Sequence, residues 1–287
     1  MRDVRHPRAG REYRTAPRLT SEANQAPLLR VESMSKAFGQ RKVVSRVSFT
    51  LAARELVALL GPSGAGKTTL FRCCTGLLEP DEGRVSFAGD ASGRQRAGPR
   101  PMAIVFQDYN LVRRLTALEN VLGGRLGHLA SWRGILRRFK RADKLKAFEC
   151  LERVGMLDHA HDRADRLSGG QQQRVAIARA LAQETKIIVA DEPVASLDPA
   201  SAAGVLQLLR NIARSDGVAV ICSLHQVGYA RTFADRIIGL AAGRVVIDAR
   251  TDELGDRDYD SLYASGSPLD GVTMVRPHPP QESISST

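Results

Sequence analysis

The run Gly61-Pro62-Ser63-Gly64-Ala65-Gly66-Lys67-Thr68 fits the pattern G-x-x-x-x-G-K-[ST], and the chemistry it points to is binding of a nucleoside triphosphate. Glycines at 61, 64 and 66 let backbone N–H groups converge on phosphate oxygens without Cβ clashes. Lys67 can reach the β- and γ-phosphates, and the Thr68 hydroxyl is a ligand for Mg²⁺. A helix from Lys67 to about Thr75, with Thr69 in its first turn, adds a partial positive charge beside the same phosphates.

Two carboxylates, Asp191 and Glu192, close the apolar run Ile187–Ala190. Such a run suits a strand buried on both faces, and open α/β sheets bind ligands at the carboxyl ends of their strands. Asp191 is placed to hold Mg²⁺, directly or through water. Glu192 is the candidate general base for an attacking water. Ser168-x-x-Gln171 is a capping box that opens an Ala-rich helix through Leu181. Its Ser-Gly-Gly start leaves a bare, positively polarised helix end, which is an anion site. Asp198 and Pro199 start a further helix as N-cap and first-turn residue.

Leu167-Ser168-Gly169-Gly170-Gln171-Gln172-Gln173-Arg174, taken with the glycine loop, resembles the signature of the ATP-binding cassette (ABC) family, whose ATPase subunits drive transport across membranes. The resemblance extends over roughly residues 28–265. It implies a P-loop NTPase fold of α/β class with an inserted α-helical subdomain, and ATP with Mg²⁺ as cofactors. It also implies a head-to-tail homodimer that sandwiches two ATP molecules, with Ser168, Gly169, Gly170 and Gln171 closing on the γ-phosphate held by the other subunit. Phe38 falls where an aromatic ring stacks on adenine; the family often has Tyr there, so the stacking is kept without the hydroxyl. Gln107 matches the glutamine that contacts Mg²⁺ or the attacking water and senses the membrane partner. Asp198, in Ser196-Leu197-Asp198, matches the loop that crosses the dimer interface. His225 matches the switch histidine that contacts the γ-phosphate. With Lys67 and Glu192, Gln107 and His225 complete the implied catalytic set.

Phe106-Gln107-Asp108-Tyr109-Asn110-Leu111-Val112, Arg153-Val154-Gly155-Met156 and Leu224-His225-Gln226-Val227-Gly228-Tyr229-Ala230 resemble the phosphonate-importer branch of that family. The resemblance implies a phosphonate or phosphite-like cargo, a membrane permease, a substrate-binding protein acting through it, and a peripheral position on the cytoplasmic face of the membrane. Cassettes serving amino acids, metals or lipoproteins are the rival reading. A soluble cassette acting on ribosomes or DNA stands further off.

Elements of alternating type must position these residues. Strand patterns fall at 28–32, 43–51, 55–60, 84–88, 103–106, 187–190, 218–223, 236–240 and 244–248. Helical patterns follow Lys67, Thr116, Ser168 and Asp198 and fill 142–155, which makes a largely parallel α/β core. The expected division is a flexible basic tail over 1–27, an ATPase domain over 28–268 with its helical part at about 109–180, and a flexible tail over 269–287.

The formal net charge of +11 sits mostly in two places, +3 over residues 1–27 and +7 over residues 125–146, so the body is nearly neutral. The basic 125–146 segment suits a solvated helical face, contact with a membrane partner or anionic headgroups, or, last, nucleic acid. Its aromatics are only Trp132 and Phe139, and no nucleic-acid partner is expected. Among 287 residues no apolar run approaches the roughly 18 of a membrane-spanning helix. Cys73, Cys74, Cys150 and Cys222 form no C-x-x-C pair and read as buried, reduced thiols, with Cys73 and Cys74 on different sides of a helix.

Overall fold

The computed structural model describes residues 26–89, 101–128 and 139–264. The expected tails over 1–27 and 269–287 lie almost wholly outside these residues, as do the basic positions Arg133, Arg137 and Arg138.

Two sheets organise the chain. The first is antiparallel, in the order β2-β1-β4, from β1 (Leu29–Phe38), β2 (Arg41–Leu51) and β4 (Glu82–Phe87). The second has the order β5-β6-β7-β3-β8-β9, from β3 (Leu56–Leu60), β5 (Ala103–Val105), β6 (Ile187–Ala190), β7 (Ala219–Ser223), β8 (Arg236–Ala241) and β9 (Arg244–Arg250). All its neighbours are parallel except the β8–β9 hairpin. The parallel core agrees with the sequence reading; the separate antiparallel sheet was not anticipated. Strand β1 runs six residues past its expected end at 32, because it pairs with β2 on one side and β4 on the other across several bulges.

The parallel strands feed two hydrophobic cores by simple alternation. Leu56, Ala58 and Leu60 of β3 face one core with Ile188 and Ala190 of β6 and Val220 and Cys222 of β7. Val57, Leu59, Ile187, Val189, Ala219 and Ile221 face the other. That second core holds α1 (Lys67–Thr75) and the inner face of the antiparallel sheet. Cys73 and Cys74 both lie buried in this core. A nine-residue helix set against a sheet on one side and covered by a second sheet has little exposed surface for either thiol.

The first core takes the remaining helices. Helices α2 (Ala117–Gly123), α3 (Arg141–Arg153) and α4 (Gly169–Leu181) pack on one another. Arg125, within the basic segment, is not a solvated charge. Its guanidinium is mostly buried and braces this group through Asp143 at 3.3 Å, Glu184 at 2.6 Å and the carbonyl of Ala182 at 2.9 Å. Helix α5 (Pro199–Asp216) lays Ala202, Val205, Leu206, Leu209, Ile212 and Ala213 on the core as its spacing predicts. Two short helices, α6 (Val227–Phe233) and α7 (Asp256–Ala264), complete the described chain. None of the described helices is long and apolar enough to cross a membrane.

Candidate nucleotide site

The strand order decides what meets. Strands β5, β6, β7 and β3 are consecutive neighbours and parallel, so their carboxyl ends lie side by side. Gln107 follows β5, Asp191 and Glu192 follow β6, His225 follows β7, and the glycine loop follows β3. Four stretches scattered between residues 61 and 225 thus line one edge of the sheet, where ligands of such sheets bind.

The loop is built from conformations only glycine adopts easily. Gly61 has φ 150°, and a Cβ there would lie 2.1 Å from the Leu240 carbonyl oxygen. Gly66 caps α1 at φ 103°, with the Val43 oxygen 2.6 Å from where its Cβ would stand. Pro62, Ser63, Gly64 and Ala65 span the turn between them, closed by the Ala65 N–H on the Pro62 carbonyl at 3.1 Å. The Lys67 ammonium is buried within this loop and donates to the carbonyls of Gly61 at 2.7 Å and Pro62 at 3.3 Å. Burial pulls its pKa below the ordinary lysine value, while the charges of Glu192 and Asp191 oppose the shift. Thr68 is exposed and Thr69 half-buried in the first turn of α1.

Ser223 orders the carboxylates. Its hydroxyl donates to Asp191 Oδ1 at 2.8 Å and accepts the Glu192 N–H at 2.8 Å. Glu192 takes a left-handed backbone, φ 50°, which is rare for this residue type and is held here by that bond. Its carboxylate Oε1 lies 2.5 Å from His225 Nε2. The candidate base and the candidate switch histidine are therefore in direct contact. Ser223 was missed from sequence because it is the last residue of an apolar strand. The available signal was a hydroxyl at a buried strand end, which must find a partner.

Gln107 is exposed just beyond β5. The two residues that shape its loop, Tyr109 and Asn110, are left-handed at φ 57° and 48°. Arg179 of α4 donates to both their carbonyls, at 2.8 and 2.5 Å. Phe38 ends β1 as an exposed side chain at 53%, which sets aside a core role for its ring.

The Ser168 box forms as expected. Its hydroxyl accepts the Gln171 N–H at 3.3 Å, and Gln171 Oε1 accepts the Ser168 N–H at 2.9 Å. Gly169 lies against Tyr109 and Leu197, and Gly170 against Ser201, too close for a side chain to enter freely. Asp198 caps α5 through the N–H groups of Ala200 and Ser201 at 3.1 and 3.0 Å. Hydrogen bonding, first from the Ser201 hydroxyl, lowers its carboxyl pKa. Signature and Asp198 segments thus meet each other. Among the described residues no hydrogen bond joins them to the 61–69 loop.

A glycine loop opening a helix, an adjacent carboxylate pair and a separate capped Ser-Gly-Gly helix start together define an ATPase cassette. The chain belongs to the ABC transporter family, whose profile matches residues 44–195. It is 51% identical over 240 residues to the hypophosphite import ATP-binding protein of Stutzerimonas stutzeri, a match covering 82% of this chain and 70% of that protein. It is 45% identical over 242 residues to a phosphonates import ATP-binding protein of Oceanobacillus iheyensis, covering 82% and 95%. Among solved structures it resembles a nucleotide-free cassette from an ABC transporter, with TM-score 0.69, 25% identity and coverage of 84% and 96%. It also resembles a dimeric cassette in a post-hydrolysis state bound to ADP and Pi, with TM-score 0.63, 31% identity and coverage of 78% and 98%.

Proposed function

We propose that this chain is the ATP-hydrolysing subunit that powers import of phosphonates, or of phosphite-like oxyanions such as hypophosphite, through a membrane permease. The observation that carries the ATPase reading is the contact of Glu192 with His225 at 2.5 Å beside the Lys67 loop. The relatives' names, 45–51% identical in sequence, support the cargo class.

In this reading the backbone of residues 61–69 cradles the phosphates, Lys67 carries the β- and γ-phosphate charge, and Phe38 stacks on adenine. Glu192 takes the proton of a water held in line with the γ-phosphate, and His225 positions that carboxylate and steadies the charge on the departing phosphoryl oxygens. Ser223 keeps Asp191 and Glu192 in register. Thr68 in the first turn of α1, with Gln107 and Asp191 just past adjoining strand ends, could offer Mg²⁺ oxygen ligands; the ion would neutralise phosphate charge when bound. The Ser168–Gln171 helix start and Asp198 act across a head-to-tail homodimer. That role agrees with their separation from the chain's own loop. The helical part, about 109–180, and Gln107 meet the permease, which places the subunit peripherally on the cytoplasmic face. A substrate-binding protein supplies cargo through the permease.

The test is ATP turnover of the subunit assembled with its permease in vesicles. Binding protein loaded with methylphosphonate or hypophosphite should stimulate turnover, and binding protein loaded with an amino acid should not. Robust turnover without response to any phosphorus oxyanion would overturn the cargo reading.

A further inference from the structure

A groove of about 630 Å³ runs along the seam between β2 and β9, and none of its lining residues belongs to the nucleotide site. Buried Phe49 and half-buried Val245 and Val246 give it an apolar floor, while Arg30, Arg46 and Arg244 are exposed around it. Two carboxylates also line the groove, and both are committed. Glu32 takes Arg84 at 2.5 Å, and Asp248 takes Arg236 through two bonds of 2.6 and 2.7 Å. The other three arginines have no carboxylate partner among the described residues. Ser45, Ser48 and Thr50 add hydroxyls to the same wall.

A bulge builds this arrangement. Register between β1 and β2 shifts at Met34 and again at Lys36, and Val44 and Val47, three residues apart, are both buried. Arg46 falls in the interruption with φ 48°, its N–H on Ser35 Oγ at 3.1 Å. Bulges re-aim side chains, and a left-handed arginine persists only where its surroundings fix it.

We infer that this groove binds a small organic phosphorus oxyanion through Arg30, Arg46 and Arg244, and that its occupancy is felt at the nucleotide loop. Planar guanidiniums pair bidentately with tetrahedral oxyanions, and hydroxyl donors satisfy the oxygens that remain. The volume exceeds a bare anion, and the apolar floor accepts an alkyl or aryl substituent. The link to the loop is short. Ser45 N–H donates to the Gly243 carbonyl at 2.8 Å, and Gly243 N–H donates to the Ala65 carbonyl at 3.1 Å. The anion could be free in solution or an anionic phospholipid headgroup. Only its origin as imported cargo rests on the proposed function; the site does not.

The experiment titrates phenylphosphonate by calorimetry into full-length protein saturated with Mg²⁺ and a non-hydrolysable ATP analogue, so that the glycine loop is filled. The expected result is saturable binding that weakens as salt rises from about 50 to about 200 mM. In Arg46→Asn/Arg244→Gln, where Asn tolerates the left-handed backbone, binding should weaken about tenfold or more. The KM for ATP should shift with phenylphosphonate in the wild type and stay fixed in the double variant. Vesicles containing phosphatidylglycerol provide the second arm. Vesicle binding lost in the double variant, without binding of free phenylphosphonate, assigns the site to a headgroup. No binding of either probe, or binding that the double variant leaves intact, overturns the site. Binding without any change in ATP KM overturns the coupling. None of these arms uses the permease, so failure here leaves the transport reading standing.

Discussion

Removing the Ser223 hydroxyl would strip one partner from Asp191 and another from the Glu192 backbone inside a fully buried strand end. Asp191 and Glu192 are half-buried, so each lost bond costs about 1 kcal/mol. Ser223→Ala should therefore lower stability in denaturant unfolding and reduce kcat more than the KM for ATP, because the group it positions acts on water rather than on nucleotide. An unchanged kcat would show that Glu192 holds its left-handed backbone without the serine. Glycine loop substitutions act earlier. Gly66→Ala drives a methyl onto the Val43 carbonyl at a left-handed position, and nucleotide binding followed by fluorescence should be lost. At this scale the motif residues were legible because a local pattern carries them. Ser223 was not, since its partners lie 31 and 32 residues away.

Arg179 joins two elements. It stands on the helix that the signature opens, and it holds the two left-handed residues behind Gln107. It acts through two directed bonds to their carbonyls and has no carboxylate partner among the described residues, and burial lowers its pKa. Arg179→Lys keeps the charge and loses the fork. It should loosen the 107–111 loop, read as faster amide exchange at Tyr109 and Asn110, and lower turnover by several fold. Protection equal to wild type would contradict that assignment. The parallel strands were legible as apolar runs buried on both faces. Helix α7 was not, because its buried residues are only Tyr259 and Leu262 among charged neighbours. Sheet β2-β1-β4 was not because bulges break its alternation.

The whole molecule keeps all four thiols inside. Burial pushes the Cys222 thiol from its ordinary value of 9.0 up to about 12. The folded state then keeps a proton that the unfolded chain loses above about 9, so this group should destabilise the fold progressively as pH rises from there toward 12. At neutral pH a thiol reagent should label the native protein slowly and reach all four cysteines only in denaturant. Rapid native labelling would mean a looser core than the one described.

The proposed hydrolysis runs on one carboxylate, Glu192, working in a closed dimer. Glu192→Gln tests it most directly, by light scattering and bound-nucleotide analysis in Mg²⁺ and ATP. The predicted result is a dimer that retains two ATP per pair of chains, with turnover reduced by about a hundredfold or more. A monomer that hydrolyses ATP at the ordinary rate would contradict both the role of Glu192 and the sandwich that the Ser168 segment is proposed to close.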